Sequence, residues 1–564
     1  MDARTQLKAL RQLDPGQLPP EQAAQLWTTL LDLCEQLLAE QEALRALLAA
    51  KGRRGRAKGR GGKGGAPPPA DPAHPAGPNP PANRNHSSEA DRRGTEPEQP
   101  WQKTTKNEKL VIDQEIVLDQ VPELPPDARF MGFEDRIFQD LRLVRCNTRF
   151  RRARYWSRAT GKSYLAPLPP GYEGQFGPGI RTLSLSLAYN ANVSMPLLHG
   201  FFRQAGCQVS KGQVCRFVTQ GLQRFAAEAA AAIRTAVEHR HWLQVDDTRS
   251  GVRTEHGCCH VLGNDLASYY QTTSRGDRRS VIQALFLGAP VVYHLDERAL
   301  TAMETWGVGQ RLRHRLQGMA ADAPSSQAEF ARWLDLRFPT LRAKLREKIL
   351  TAAALAGYHH QTAVPIAHAL LSDDASLFHG LAEEQALCWI HDFRHYLKLT
   401  PLFTSHQWQL RLFRTRYWKL YRQLLAYTKN PIAAQRAKIE RAFDRLVEER
   451  KAPSFLAECI ARTRKNRAKL LLVLDHPELP LHNNAAELAV RRRVRKRNVS
   501  FGPVSDAGRQ AWDTMQSLMG TTEKLGVSFW SYLEDRLHQT NTIPPLPELI
   551  RLKAQLARPS SWST

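Results

Sequence analysis

Between residues 241 and 285 the chain sets three strand patterns and a helix in close succession, and this succession constrains the fold more than any other stretch. H-W-L-Q-V-D-D-T alternates apolar and polar positions and ends in two acids. C-C-H-V-L-G and S-Y-Y-Q-T-T follow, separated by the turn-like Asn264-Asp265, and a helix begins near Arg278. Strands joined by such short connections pair antiparallel. Three of them followed by a helix open many α/β nuclease-like folds. Further on, I-A-H-A-L-L-S-D-D-A is a continuous apolar run typical of a strand buried on both faces, again ending in acids. A-L-C-W-I-H suits a neighbouring strand.

Open α/β sheets place their sites at strand ends, where Asp246-Asp247 and Asp373-Asp374 fall. A third acid, Glu487, lies in L-H-N-N-A-A-E-L-A-V-R-R-R-V-R-K-R-N-V-S-F-G, residues 481 to 502. It begins a helical pattern whose next turns carry Arg491, Arg492, Arg493, Arg495, Lys496 and Arg497. Acids this far apart in sequence suit phosphodiester chemistry with two hard cations, which needs carboxylates converging from separate elements. The neighbouring cations would hold a phosphate backbone. Taken singly, each Asp pair reads better as a polar strand end or helix cap, and Glu487 at least as well as a stray acid on a basic surface helix. Asp296, in Y-H-L-D-E-R-A-L, is a rival for the second acid.

The chain has 564 residues, long for one core, and Lys plus Arg outnumber Asp plus Glu by 80 to 55. That excess argues for a polyanionic partner. RNA and membrane surfaces stay open on charge alone, although no basic amphipathic anchor stands out. No apolar run reaches the roughly 18 residues a bilayer span requires. The segment M-D-A-R-T-Q-L lacks the apolar core of a signal peptide. Eight cysteines are scattered without any C-x-x-C, so neither a zinc ribbon nor a disulfide framework is expected. These features point to a reducing cytoplasm with free thiols.

Six segments are expected. Residues 1–50 form a helical or coiled-coil segment, with Leu30, Leu37 and Leu44 seven apart and Glu40 interrupting one seam. Self-association and packing onto the same chain both remain open there. Residues 51–107 form a basic, Pro-rich disordered linker. Residues 108–176 are strand-rich, and R-L-V-R-C-N-T-R-F-R-R-A-R-Y-W interleaves Arg with aromatics as a nucleic-acid-facing ribbon or a solvated edge strand would. Residues 177–236 read as three short helices broken at Gly206, with Ser210 as a helix cap, and fit helix-turn-helix or any small bundle. A core at 237–540 with helical insertions at about 298–362 and 402–478 precedes a tail at 541–564. The expected class is multidomain α/β.

These residues resemble the bacterial DDE transposases of the insertion sequence 66 family, patchily over 1–240 and more clearly over 241–540. The family's D-E-T is matched by V-D-D-T at Asp246. Its D-G-Y before C-W-A-H is matched by L-S-D-D-A and Cys388-Trp389-Ile390-His391, giving Asp373. Its D-N-N-x-A-E-R-x-x-R is matched at Asn483, Asn484, Ala486, Glu487 and Arg491, and its R-K-N-x-x-F-x-G at Asn498, Phe501 and Gly502. His482 replaces the leading Asp and Leu488 the Arg after the glutamate. Except for Cys146, the cysteines of the family's zinc ribbon are missing near 110 to 160, so that module is expected to be degenerate.

The resemblance implies an RNase H-like core preceded by degenerate zinc-ribbon-like and helix-turn-helix-like DNA-binding segments. It implies an enzyme that cuts the ends of a mobile element and joins them to target DNA, with Asp246, Asp373 and Glu487 holding two Mg²⁺, or Mn²⁺ in their place. Arg491, Lys496 and Arg497 would hold the strand being cut, and Asn483 and Asn484 would orient the glutamate helix. Asp247 and Asp374 would support or cap, Trp389 would lie in the core and His391 near the site wall. No zinc is expected. Partners would be transposon-end and target DNA, further copies of the chain and separately encoded accessory proteins. The alternative, motivated by His482 and Leu488, is a relative that binds DNA without cutting it. An unrelated nuclease without strand transfer is a third reading.

Overall fold

The three strand patterns form the hairpin-linked half of one sheet. β3 (Trp242–Arg249), β4 (Cys258–Gly263) and β5 (Ser268–Thr273) pair antiparallel in sequence order. On the other side of β3 lie β6 (Ala369–Ser372) and β7 (Glu384–Leu387), both parallel to it, so the order is β5-β4-β3-β6-β7. β4 and β6 are buried at every position, as strands covered on both faces must be. Parallel neighbours need a long crossover, and residues 274–368 supply it with helices. The computed structural model describes residues 111–556 apart from 119–124, 126–127, 132, 142, 253–254 and 449–453. The helical segment expected at 1–50 and the linker expected at 51–107 lie outside the described residues.

Before the sheet, in the segment expected to be strand-rich, the described part of L-V-I-D-Q-E-I-V-L forms no strand, with Val111 and Leu118 both more than 80% exposed. An alternating pattern makes a strand only where a neighbour accepts its backbone hydrogen bonds, and among the described residues none pairs with it. The Arg-aromatic run contributes only β1 (Arg154–Ser157), which pairs antiparallel with β2 (Lys162–Leu165) in a separate hairpin. Three short helices follow: α1 (Pro178–Tyr189), α2 (Met195–Gln204) and α3 (Lys211–Thr219). Gly206 turns the chain between α2 and α3 at φ +78°, and the Ser210 hydroxyl accepts from the Gln213 amide at the start of α3.

These helices are not a detached module. α4 (Gln223–Arg240) leads directly into β3, and one continuous apolar cluster runs from Leu185 in α1 to Ala554. Within the crossover, α5 (Arg278–Leu285) is capped by Asp277. α6 (Glu297–Thr305), α7 (Gln310–Gln317) and α8 (Gln327–Arg337) come next, and α9 (Ala343–His360) buries an unbroken stretch from Ile349 to Tyr358. Gly357 permits the closest approach there, since a Cβ at this position would lie 2.0 Å from the Val292 carbonyl.

A second apolar cluster joins α10 (Trp389–Leu397), α11 (Thr404–Lys429), α12 (Ala433–Val447), α13 (Ser454–Lys465) and α14 (Arg467–Leu471). The chain returns to the sheet through α15 (Asn484–Ser500) and α16 (Asp506–Leu525), which pack on β3, β4 and β5. The expected tail at 541–564 is corrected in part. After α17 (Phe529–His538), α18 (Leu546–Leu556) buries Leu546, Ile550 and Ala554 against the main core and packs on α4.

Candidate active site

Parallel pairing brings two of the three acids together. β3 and β6 are in register at Trp242 with Ala369 and Gln244 with Leu371. Continuing that register by two residues sets Asp373 level with Asp246, on the same face at the carboxyl ends of adjacent strands. Glu487 arrives in the first turn of α15, and that helix is fastened to β3 at its start. The Asn483 amide donates to the Val245 carbonyl (2.8 Å), and the Gln244 amide donates to the His482 carbonyl (3.1 Å). Asn484 opens α15, and its backbone N–H reaches Nδ1 of His482 (3.4 Å).

The electrostatics register the convergence. Burial pushes the Asp246 carboxyl up to about 7; the Asp247 amide, which donates to it, pulls it down, and the charges of Glu487 and Asp373 raise it further. Glu487 is only 13% exposed in its side chain and is held by Arg394, whose Nη2 donates to both carboxylate oxygens (3.2 and 3.0 Å). His391 Nδ1 lies 3.6 Å from Glu487 and Arg491 reaches it at 4.0 Å. Burial and then the Arg394 charge lower the His391 pKa. Asp246, Asp373 and Glu487 offer carboxylate oxygens of the kind Mg²⁺ and Mn²⁺ prefer, near enough for the charges of Glu487 and Asp373 to act on the buried Asp246 but not all within 4.8 Å of one another, and a divalent cation between them would offset that repulsion. The residues fit that ion.

The remaining expected residues are distributed unevenly. Asp247 points from the opposite face of β3 and accepts from the Cys258 thiol (3.3 Å). Asp374 is turned toward His379 and Asn466, whose side chains meet it at 3.1 and 3.0 Å. Trp389 is buried, its indole N–H donating to the Leu470 carbonyl (2.8 Å). Arg497, half-buried, donates to the Arg249 carbonyl. Lys496 corrects the expectation that it holds DNA. It is 1% exposed, donates to the Ala188 carbonyl, and sits 5.1 and 5.4 Å from the ring centres of Tyr189 and Trp512. The helical repeat turns positions 493 and 496 inward together. The rival acid Asp296 caps α6, accepting from the Ala299 amide (2.9 Å).

Two contributors were missed in the sequence. A-L-C-W-I-H is not one strand: β7 ends at Leu387, and the Trp389 amide donates to Leu481 as α10 begins. That helix sets Arg394 three residues from His391, on the same face toward Glu487. The other is Arg493, fully buried, which donates to Gln516 (2.8 Å) and Asp513 (2.6 Å) and lies over Trp512. No sequence signal separated it from the more accessible arginines beside it.

The sequence model of the family described as "Transposase IS66 family" matches residues 350–511, a stretch that carries Asp373, Arg394, Glu487 and Arg493. The chain is also 30% identical over 316 residues to "Uncharacterized protein y4jO" of Sinorhizobium fredii (strain NBRC 101917 / NGR234), covering 56% of this chain and 97% of that relative. The chain belongs to the IS66 transposase family. No solved structure matches it. The family match opens inside α9, so Asp246 is joined to the matched stretch by the sheet rather than by the match. Among the described residues of this IS66-family chain, no helix is long and apolar enough to cross a membrane.

Proposed function

We propose that this protein is the transposase of a bacterial insertion sequence, cutting the element's terminal repeats and joining the freed 3′ hydroxyls to target DNA. The observation that carries the reading is the approach of Asp373 and Glu487 to Asp246 at the carboxyl ends of the interior strands β3 and β6, where burial first and then the charges of the other two acids raise the Asp246 carboxyl. We infer that 237–540 is an RNase H-like core. An antiparallel hairpin on one side of β3 and two parallel strands on the other support this inference.

Asp246, Asp373 and Glu487 would hold two Mg²⁺, or Mn²⁺. Ions held there would supply activation of the attacking oxygen and stabilisation of the leaving one. The chain's own residues prepare the site. Asn483 and Gln244 lock the start of α15 to β3, so the glutamate is presented at a fixed height. Arg394 holds the Glu487 carboxylate in place and balances its charge. Arg491 and Arg497 meet the phosphate backbone of the strand being cut, and α1–α3 with the β1–β2 hairpin contribute to recognising the ends. Assembly of the two ends requires further copies of the chain, and accessory proteins complete the system.

The alternative, a relative that binds DNA without cutting it, is favoured by one observation: Arg394 engages both oxygens of Glu487. Purified protein incubated with its own element ends and Mg²⁺ or Mn²⁺ separates the two. Cleavage and joining are expected in wild type and in Asp296→Ala, and loss of both with retained end binding in Asp246→Asn, Asp373→Asn and Glu487→Gln. Tight binding without cleavage by wild type, accessory proteins included, would establish the binder. Cleavage without covalent joining would indicate a nuclease.

A further inference from the structure

A second set of ligating side chains lies on the face of β3 and β4 turned away from Glu487. Cross-strand pairing sets Asp247 opposite His260, and Cys258 lies two residues before His260, so all three project from one face. A carboxylate oxygen of Asp247, the sulfur of Cys258 and a ring nitrogen of His260 lie within 4.8 Å of one another. Cys258 and His260 are buried and Asp247 is half-buried.

Neighbouring hydroxyls fix the tautomer of His260. Its Nε2 lies 3.1 Å from both Thr273 Oγ1 and Ser280 Oγ. The Thr273 hydroxyl donates to the Arg275 carbonyl (2.7 Å) and the Ser280 hydroxyl to the Asp277 carbonyl (2.6 Å). With their protons so committed, both oxygens accept, and Nε2 carries the hydrogen. Nδ1 is then a bare lone pair, fully enclosed and without a hydrogen-bond partner. A buried acceptor left in this state calls for an electrophile.

We propose that Asp247, Cys258 and His260 bind one divalent cation of the zinc class, through carboxylate, thiolate and Nδ1. Mixed oxygen, sulfur and nitrogen donors select borderline transition metals over Mg²⁺. The hydrogen bonds from Nε2–H to two hydroxyls are the outer support that metal-binding histidines use. On binding, the Cys258 sulfur forms a bond to the metal and its proton leaves to solvent. Asp247 exchanges the thiol hydrogen bond for the ion. The ligands come from two paired strands, so no C-x-x-C spacing announces them. The ion staples β3 to β4 one residue from Asp246, and its ligands are not those proposed for Mg²⁺.

Titration of full-length, metal-stripped protein with Co²⁺ under reducing conditions tests this, read by thiolate-to-cobalt charge-transfer absorption. A large excess of Mg²⁺ is present throughout to fill the carboxylate site. The expected result is a band that saturates at one equivalent, is lost in Cys258→Ser, and is weakened roughly tenfold or more in affinity by His260→Gln. Among the described residues Cys388, His391 and Glu487 form the other thiol-containing group, so the band must survive Cys388→Ser. Absence of the band in folded wild type overturns the proposal without reliance on any variant's folding. So does a band that disappears in Cys388→Ser and persists in Cys258→Ser.

Discussion

Arg394 and Lys496 are cations whose surroundings assign them tasks other than gripping DNA. Arg394 places a guanidinium on Glu487, and a positive charge beside the proposed metal ligand would oppose an arriving ion. Arg394→Gln is therefore expected to lower the Mg²⁺ concentration for half-maximal cleavage by roughly tenfold, equivalent to about 1.4 kcal/mol. A metal titration of cleavage rate checks this, and an unchanged or weaker metal requirement would refute it. For Lys496, burial and then the nearby Arg493 charge lower the ammonium pKa to about 8 from 10.5. Because the folded value lies below the unfolded one, the unfolded chain binds more protons between pH 8 and 10.5. Stability then rises with pH across that window. Chemical denaturation from pH 7 to 10.5 should show wild type gaining stability relative to Lys496→Met, with the difference flat below pH 8.

At the scale of elements, α15 has two fastenings of different kinds. Its first turn is tied to β3 by neutral hydrogen bonds, whereas its middle is anchored by the buried ion pair of Arg493 with Asp513 (2.6 Å). Asp513 also receives the Thr272 amide and hydroxyl, so one carboxylate joins α15, α16 and β5. Breaking such a pair strands a charge in the interior. Arg493→Met is expected to cost roughly 3–5 kcal/mol in urea unfolding, and adding Asp513→Asn should recover part of it. The loop after α17 is organised by Asp535. Burial raises this carboxyl, but hydrogen bonds from Thr540, Thr542 and Ile543 hold it down at about 2. A depressed acid stabilises the fold above its unfolded value of 3.8, and that contribution fades as pH falls toward 2. Asp535→Asn should lower stability at pH 6 and lose its deficit below about pH 2 in an acid titration followed by circular dichroism.

For the whole molecule, a net charge of +25 predicts DNA affinity that falls steeply with salt. In the proposed complex, Arg491→Ala and Arg497→Ala should each reduce the log–log salt slope by about 0.9, the value for one phosphate contact, while Lys496→Met leaves it unchanged. Fluorescence anisotropy on element-end duplexes gives those slopes, and a reduced slope in Lys496→Met would return that lysine to the interface. The strands around Asp246 and Asp373 were legible because period-two alternation and unbroken apolar runs report burial directly. The basic turns of α15 were not. Side by side in the sequence, Arg491, Arg493 and Lys496 differ only in which way the helix faces, and packing decides that. The junction at Cys388-Trp389 was misread because a short apolar run has the same composition as the end of a strand and the start of a helix. Local patterning thus determined which residues form the sheet and which acids stand at its strand ends. Only the tertiary structure decided that Asp373 and Glu487 come near enough for their charges to act on Asp246, that Arg394 engages Glu487, and that Asp247, Cys258 and His260 meet. These are non-local contacts, set by register between strands and by the seating of helices, and no window of neighbouring residues encodes them.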